Sequence, residues 1–434
     1  MKQLSLIASA LLFVACATPE SDTPSSSDGS LPQITQIGQS SEYSTARTIL
    51  MHAPGSELSL GMLHPQAALF DVYFSLEAAA AEHSAYVEQL EDSGAEVVLL
   101  RDLLAYGCAD GSQCTEMQEL REFAFSILEY NCDALSEEMQ ESEALYKREV
   151  INSLSVEELI DVIIQQPTIT LYETEYNTGI SATYQYNPLM NLFYMRDQSI
   201  TTAKGVVLCR MNSTQRQNEC EVVKFGLQKL GIEPIYEVSG EGAYLEGGDY
   251  LIGFGRSFIG CGMRTTQTAI DDLLANDVFG TDSVVVVKDR RFYQAEMHLD
   301  TYFNIIDTDL ATISAERMNA DTESDCYVTA DIYLKSTSGS YSMVTSDVEF
   351  TSLLQEELGV TLIQIEADDQ DRMAGNFLTV APRKIMAVDG QSDTFVQQLS
   401  DNGVKVEWID LVNLVNLVKG YGAAHCMTQV IERN

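Results

Sequence analysis

From Thr48 onward the chain alternates between two hydrophobic rhythms, and each switch marks an element. Leu69 to His83, continuing to Leu90, carries apolar residues at helical spacing and stops near Gly94. Glu96 to Leu100 follows as a short apolar run that predicts a strand. The same junction recurs: Leu230 precedes Gly231-Ile-Glu-Pro-Ile-Tyr, Leu358 precedes Gly359-Val-Thr-Leu-Ile, and Leu399 precedes Gly403-Val-Lys-Val-Glu. In each case a helix ends at a glycine suited to a left-handed C-terminal cap, and a strand begins at once. Repeated helix–glycine–strand junctions predict an internally repeated α/β module with insertions of uneven length. Elsewhere the periods predict strands over 205–209, 249–254, 284–288, 302–306, 327–333 and 377–388, and helices over 216–230, 266–275, 347–357 and 393–401.

Two stretches depart from this rhythm. Residues 110–166 are rich in Glu, Leu, Met and Ala, without proline or glycine from Thr115 to Gln166, and predict a helical bundle inserted in the repeated domain. Ser153 or Ser155 could cap its last helix, and Ser155-Val-Glu-Glu158 has the form of a capping box. At the other departure, Lys2 is followed by an apolar run, Leu4 to Ala15, too short to span a bilayer as a mature helix. It ends Leu-Leu-Phe-Val-Ala-Cys and resembles a bacterial lipoprotein signal, residues 1–16, in which Cys16 becomes the lipidated N-terminus. Residues 17–40, beginning rich in Ser, Thr, Pro, Asp and Gly, then read as a flexible tether, and 41–434 as the folded domain. The expectation is an exported protein at the cell envelope, meeting the membrane only through its lipid anchor.

Composition narrows the partners. Hydrophobic residues make up 45% of the chain, enough for a sizeable core. The net charge is −40, from 65 acidic and 25 basic residues, which argues against nucleic acid and favours cationic small molecules. Of the 9 cysteines, Cys108 with Cys114 and Cys209 with Cys220 are close enough in sequence to pair, as exported proteins often do. None has C-x-x-C spacing, so no structural zinc site is expected. Assembly as a homo-oligomer is left open.

Candidate chemistry lies in four motifs. Asn191-Leu-Phe-Tyr-Met-Arg-Asp197 ends an apolar run in an Arg-Asp pair. Leu245-Glu-Gly-Gly-Asp249 joins flexible glycines to two carboxylates ahead of a strand. Glu296-Met-His-Leu-Asp300 holds one of only 5 histidines; if extended, His298 and Asp300 share a face. Near the C-terminus, Gly422-Ala-Ala-His-Cys426 sets small residues before a thiol, leaving room for a ligand. Taken singly, each has a structural explanation: a salt bridge, a turn, a buried cysteine.

In this order and at this spacing, the motifs resemble the guanidino-group-modifying superfamily, arginine deiminase above all. The resemblance covers nearly all of residues 45–434 and includes Leu69-Phe-Asp71, Glu82-His83, Gly262-Met-Arg264-Thr-Thr and the helical insertion. It implies a five-bladed α/β propeller of ββαβ modules. It also implies hydrolysis of L-arginine to L-citrulline and ammonia through a thiouronium on Cys426, with no metal and no organic cofactor. Asp197 and Asp300 would grip the guanidinium by charge-assisted hydrogen bonds. His298 would be the general acid and base, with Glu246 orienting it. Arg216, Arg264 and Asn191 would hold the amino-acid end, with Tyr194 as a wall. His425 is a lesser candidate. Tyr421 stands where some arginine deiminases carry a substrate-binding arginine, which opens the alternatives of agmatine, methylated or peptidyl arginine. A lipoprotein that binds arginine without turning it over is a further alternative.

Overall fold

The computed structural model describes residues 31–176, 178–409 and 417–434, of which Pro32–Asn434 form one compact unit. The expected signal, Cys16 and most of the expected tether lie outside the described residues. The last tether residues belong to the domain: the Thr35 and Gln36 amides donate to Glu432, and Gln39 N donates to the Thr202 carbonyl.

The repeat is present as sheets with one pairing pattern: a strand, an antiparallel second strand, a helical crossover, and a third strand parallel to the second. Ser199–Thr201, Val206–Leu208 and Tyr236–Glu237 form one such unit around helix Glu219–Lys229. Tyr250–Gly253, Arg256–Cys261 and Ser283–Lys288 form the next around Gln267–Ala275. Phe303–Asp307, Leu310–Ser314 and Thr361–Ile365 follow. Leu378–Ala381, Lys384–Val388 and Lys405–Ile409 enclose helix Asp393–Asp401. The remaining unit is closed by both ends of the domain: Gln429–Arg433 pairs antiparallel with Ala46–Met51, which runs parallel to Glu96–Leu99 beyond helix Leu76–Asp92. The C-terminal residues are therefore a first strand, tied down rather than frayed.

The glycines at the helix–strand junctions are needed for their backbone alone. Gly94, Gly231, Gly359 and Gly403 have φ of 97°, 73°, 69° and 70°, and an added Cβ would meet nothing. The unit without a glycine in this role has Asp277 instead, at φ 50°.

Neighbouring units share their cores. Ser283–Lys288 buries both faces: Val284 and Val286 pack with Ile200, Val207 and Leu208, while Val285 and Val287 pack with Phe303, Ile305 and Ile313. Ile363 and Ile365 meet Phe377 and Ile385, and Leu378 and Met386 meet Ile49 and Met51. Thr201 and Gln429 hydrogen-bond across the remaining junction. The sheets stay separate, and no closed or curled sheet is present among the described residues.

Two regions depart from expectation. The 110–166 segment has helices Thr115–Ile127, Glu137–Ser153 and Val156–Gln165, the last opened by the Ser155–Glu158 capping box. It is not wholly helical, because Glu129–Ala134 pairs with Pro167–Glu173, itself paired with Ile180–Tyr186. A hairpin, Thr329–Lys335 and Tyr341–Glu349, extends one sheet to five strands. All eight described cysteines are free, so neither suggested pair is bridged.

Candidate active site

The candidate catalytic side chains occupy one recurring position: each lies within a few residues before the first strand of a unit. Asp197 precedes Ser199–Thr201, Glu246 precedes Tyr250–Gly253, Asp300 precedes Phe303–Asp307, and Cys426 precedes Gln429–Arg433. In the remaining unit that position holds Asn376, before Leu378–Ala381.

His298 is 3% exposed; its Nε2 lies 2.8 Å from Glu246 Oε2, and its Nδ1 lies 3.6 Å from Asp197 Oδ1. Burial alone would lower its pKa, but Asp197, the bond to Glu246 and Asp249 outweigh that and lift it to about 9. Burial disfavours the Glu246 carboxylate, yet His298, Arg264 and Arg216 hold its pKa low. Glu246 is further fixed by Asn212 N at 2.9 Å. The paired glycines have a steric reason. A Cβ on Gly248 would sit 2.6 Å from His298 Nδ1, and one on Gly247 would strike the Arg196 carbonyl. Asp249 Oδ1 accepts the Leu299 N–H at 3.0 Å, pinning the turn that carries His298.

Asp197, Glu246 and His298 bring possible ligand atoms within 4.8 Å of one another. Their chemistry suits a proton relay better than a cation. The histidine Nε2 is already bonded to Glu246 at 2.8 Å, and the surrounding carboxylates raise its pKa to about 9, which suits a group that gives and takes a proton.

Cys426 is 4% exposed. Its Sγ lies 3.5 Å from Asp300 Oδ2, and Asn376 Nδ2 lies 3.2 Å from the sulfur. Burial pushes the thiol pKa well up, and the Asp300 and Asp197 carboxylates add to this. Asp300 receives His425 Nδ1 at 2.7 Å, and His425 Nε2 lies 3.8 Å from Glu42, which is paired with Arg433 at 3.1 Å. Burial disfavours the Asp300 carboxylate, but the His425 bond outweighs it and keeps its pKa below the ordinary value.

A narrow cavity of ≈ 20 Å³ connects these groups and is lined by Asn191, Tyr194, Arg216, Arg264, Tyr421 and Cys426 among others. Arg216 is at the site, but its guanidinium is already engaged by Asp197 at 2.8 Å and Glu219 at 2.9 Å. Arg264 reaches Gln294 at 3.0 Å and stands 4.0 Å from Glu246. Asn191 turns its amide away to the Ala68 carbonyl at 3.2 Å. The Tyr194 ring presses against Gly420 and Gly422, where side chains would collide with it. Tyr421 is held in the left-handed region at φ 64° and is hydrogen-bonded to Asp71.

All nine sequence-derived site residues therefore meet around one cavity or bond directly to its lining. The local geometry of one motif differs from expectation. His298 and Asp300 are not on an extended strand: Leu299–Tyr302 is a single helical turn with His298 at its N-cap. His298 lines the cavity and bonds Glu246, while Asp300 stands behind the lining, next to Cys426. Sequence reasoning missed Asn376 and Glu219, and it quoted Arg196 and Asp249 in their motifs without giving either a role of its own. For Asn376 a signal existed, since it fills the position that the other units give to functional residues.

A family model described as arginine deiminase matches residues 66–433. The arginine deiminase of Halobacterium salinarum is 24% identical, with 95% of this chain and 99% of that protein covered. That of Staphylococcus haemolyticus is 27% identical over 92% and 98%, respectively. Among solved structures, the product-bound N-terminal domain of ArgZ, a cyanobacterial arginine dihydrolase, covers 89% of this chain and 97% of its own, at TM-score 0.52 and 14% identity. The amidinotransferase SxtG of Microseira wollei covers 92% and 97%, at TM-score 0.53 and 10% identity. At these identities the structural likeness shows the fold alone: mixed α/β.

Proposed function

This chain belongs to the arginine deiminase family, and from that premise we propose that it hydrolyses L-arginine to L-citrulline and ammonia through a covalent thiouronium on Cys426. The observation that carries the mechanism is the arrangement of a buried thiol between a carboxylate at 3.5 Å and an amide donor at 3.2 Å, with His298, whose pKa is lifted to about 9, lining the same cavity. The five units are read as blades of a propeller, in which the loop before each first strand faces a common centre. Shared cores between neighbouring units and the recurring position of the functional residues support this. A crystal structure in which these loops did not surround one site would overturn it.

The substrate guanidinium lies between Asp197 and Asp300, whose oxygens match its N–H edges. Its positive charge offsets the carboxylates that keep Cys426 protonated, so the thiol gives up its proton to solvent and the thiolate forms when the site is occupied. The thiolate attacks Cζ, forming the C–S bond. His298 gives its proton to the departing nitrogen, the C–N bond breaks and ammonia leaves. The now neutral His298 takes a proton from water, the resulting hydroxide adds to Cζ, and the C–S bond breaks as the hydroxyl proton passes to the departing sulfur, releasing citrulline and the Cys426 thiol. Arg264 is the cation with the freer guanidinium for the substrate carboxylate, because Arg216 is committed to Glu219 and Asp197. Arg216 then acts chiefly by holding Asp197 in place.

Purified protein should release citrulline from arginine, and Cys426→Ala should lower turnover by about a thousandfold or more. Citrulline formation at an undiminished rate in Cys426→Ala would rule out the covalent route.

A further inference from the structure

Asn376 lies outside every charged motif, yet it touches the nucleophile and its loop at several points. Its Nδ2 is 3.2 Å from Cys426 Sγ and 3.3 Å from the Asp300 carbonyl. Its Oδ1 accepts the Ala423 N–H at 2.8 Å and the Cys426 N–H at 3.1 Å. Its own carbonyl accepts the His425 N–H at 3.1 Å. Backbone N–H groups can only donate, so they fix the orientation of the amide: the oxygen faces the loop and the NH₂ faces the sulfur. The backbone of Asn376 is itself held, because Asn304 Nδ2 donates to the Gly375 and Phe377 carbonyls at 3.0 and 2.8 Å. Asn376 is 1% exposed, so water does not compete for these bonds.

The sulfur otherwise faces groups that oppose its ionisation. Asp300 stands at 3.5 Å, and a carboxylate beside a thiol favours the neutral form. Cys426 lies beside no lysine or arginine side chain within hydrogen-bonding reach of the sulfur among the described residues. An N–H directed at sulfur binds the thiolate better than the thiol, because the acceptor is then charged.

We propose that Asn376 stabilises the thiolate of Cys426 through its amide N–H while its oxygen fixes the Ala423–Cys426 backbone beneath the substrate. The inference rests on the reading of Cys426 as nucleophile and adds to it a neutral residue from the unit that contributes no charged group. Its two functions are separable, since they use different atoms of one amide.

Asn376→Asp separates them. The carboxylate keeps the shape and an oxygen for the two backbone N–H groups, but replaces the donor with a charge that opposes a thiolate. Asn376→Ala removes both. The readout is iodoacetamide alkylation of the full chain across a pH series, followed by mass measurement of the peptide containing Cys426. In Asn376→Asp the alkylation profile should move to higher pH, with a rate at pH 8 about tenfold or more below wild type. With arginine, kcat should fall about tenfold to a hundredfold while KM stays within about twofold. An unmoved alkylation profile in both variants would overturn the proposal. So would faster alkylation together with a lower melting temperature and a raised KM, which would mark Asn376 as a purely structural support. Alkylation needs no turnover, so it decides the matter even if the wild-type protein fails to hydrolyse arginine.

Discussion

At the scale of single residues, the site works by setting charge states against burial, and His298 gives the clearest consequence. Its pKa in the folded protein is about 9, above the ordinary 6.5. The stability that its protonation contributes is therefore complete below pH 6.5 and is lost as pH rises through 9. Because the protonated ring is the proposed acid for the leaving nitrogen, and the thiolate forms in the occupied site, kcat should fall on the alkaline side with a midpoint near pH 9. Glu246→Gln removes one of the carboxylates that raise this value and should move the midpoint down by about one pH unit or more. A rate profile from pH 6 to about 10 in both proteins checks this, and an unchanged midpoint would separate Glu246 from the titration of His298. The charged members of the site were legible because a chain with 5 histidines and 25 basic residues offers few alternatives. Asn376 was harder to read: it is neutral, sits in an apolar run, and its one signal, a place just before the first strand of a unit, shows only when the units are compared. The facing of His298 and Asp300 was misread because a helical turn begins at His298, and its backbone bond to Asp249 comes from another unit.

At the scale of elements, the same residue type serves two different needs. Gly403 takes φ 70° with open space around it, so Gly403→Ala meets only the cost of a left-handed backbone, about 1–2 kcal/mol. Urea unfolding should register that loss while citrulline production per folded molecule stays at the wild-type level. Gly248→Ala, by contrast, would drive a methyl to 2.6 Å from His298 Nδ1 and should abolish turnover even where the protein still folds. If Gly403→Ala lost activity in proportion to Gly248→Ala, the two glycines would not differ in this way. The junctions containing glycine could be read from sequence because the cap demands a residue that tolerates positive φ. Asp277 fills that role in another unit, supported by salt bridges to Lys204 and Lys335, and its junction was invisible to a search for glycine. The hairpin strand Tyr341–Glu349 was missed for a different reason: most of its residues are exposed, so it lacks the alternation that marks a half-buried strand.

At the scale of the whole molecule, one property acts on stability and on substrate capture with opposite sign. A net charge of −40 makes the compact chain repel itself and makes its surroundings attractive to a cation such as arginine. Salt weakens both effects, since the Debye length shrinks from about 30 Å at 0.01 M to about 3 Å at 1 M. Raising sodium chloride over that range should therefore increase the melting temperature. It should also lower kcat/KM for arginine, by about threefold to tenfold, through a higher KM. The buried pairs among Asp197, Arg216 and Glu219 are shielded from solvent and should respond little, so kcat should stay nearly constant. Calorimetry and initial rates on the same samples give both quantities. A melting temperature that fell with salt would mean that the surface ion pairs stabilise the fold more than the excess of acidic residues strains it. A KM indifferent to salt would mean that arginine is gathered by the short-range contacts of Asp197 and Asp300 alone.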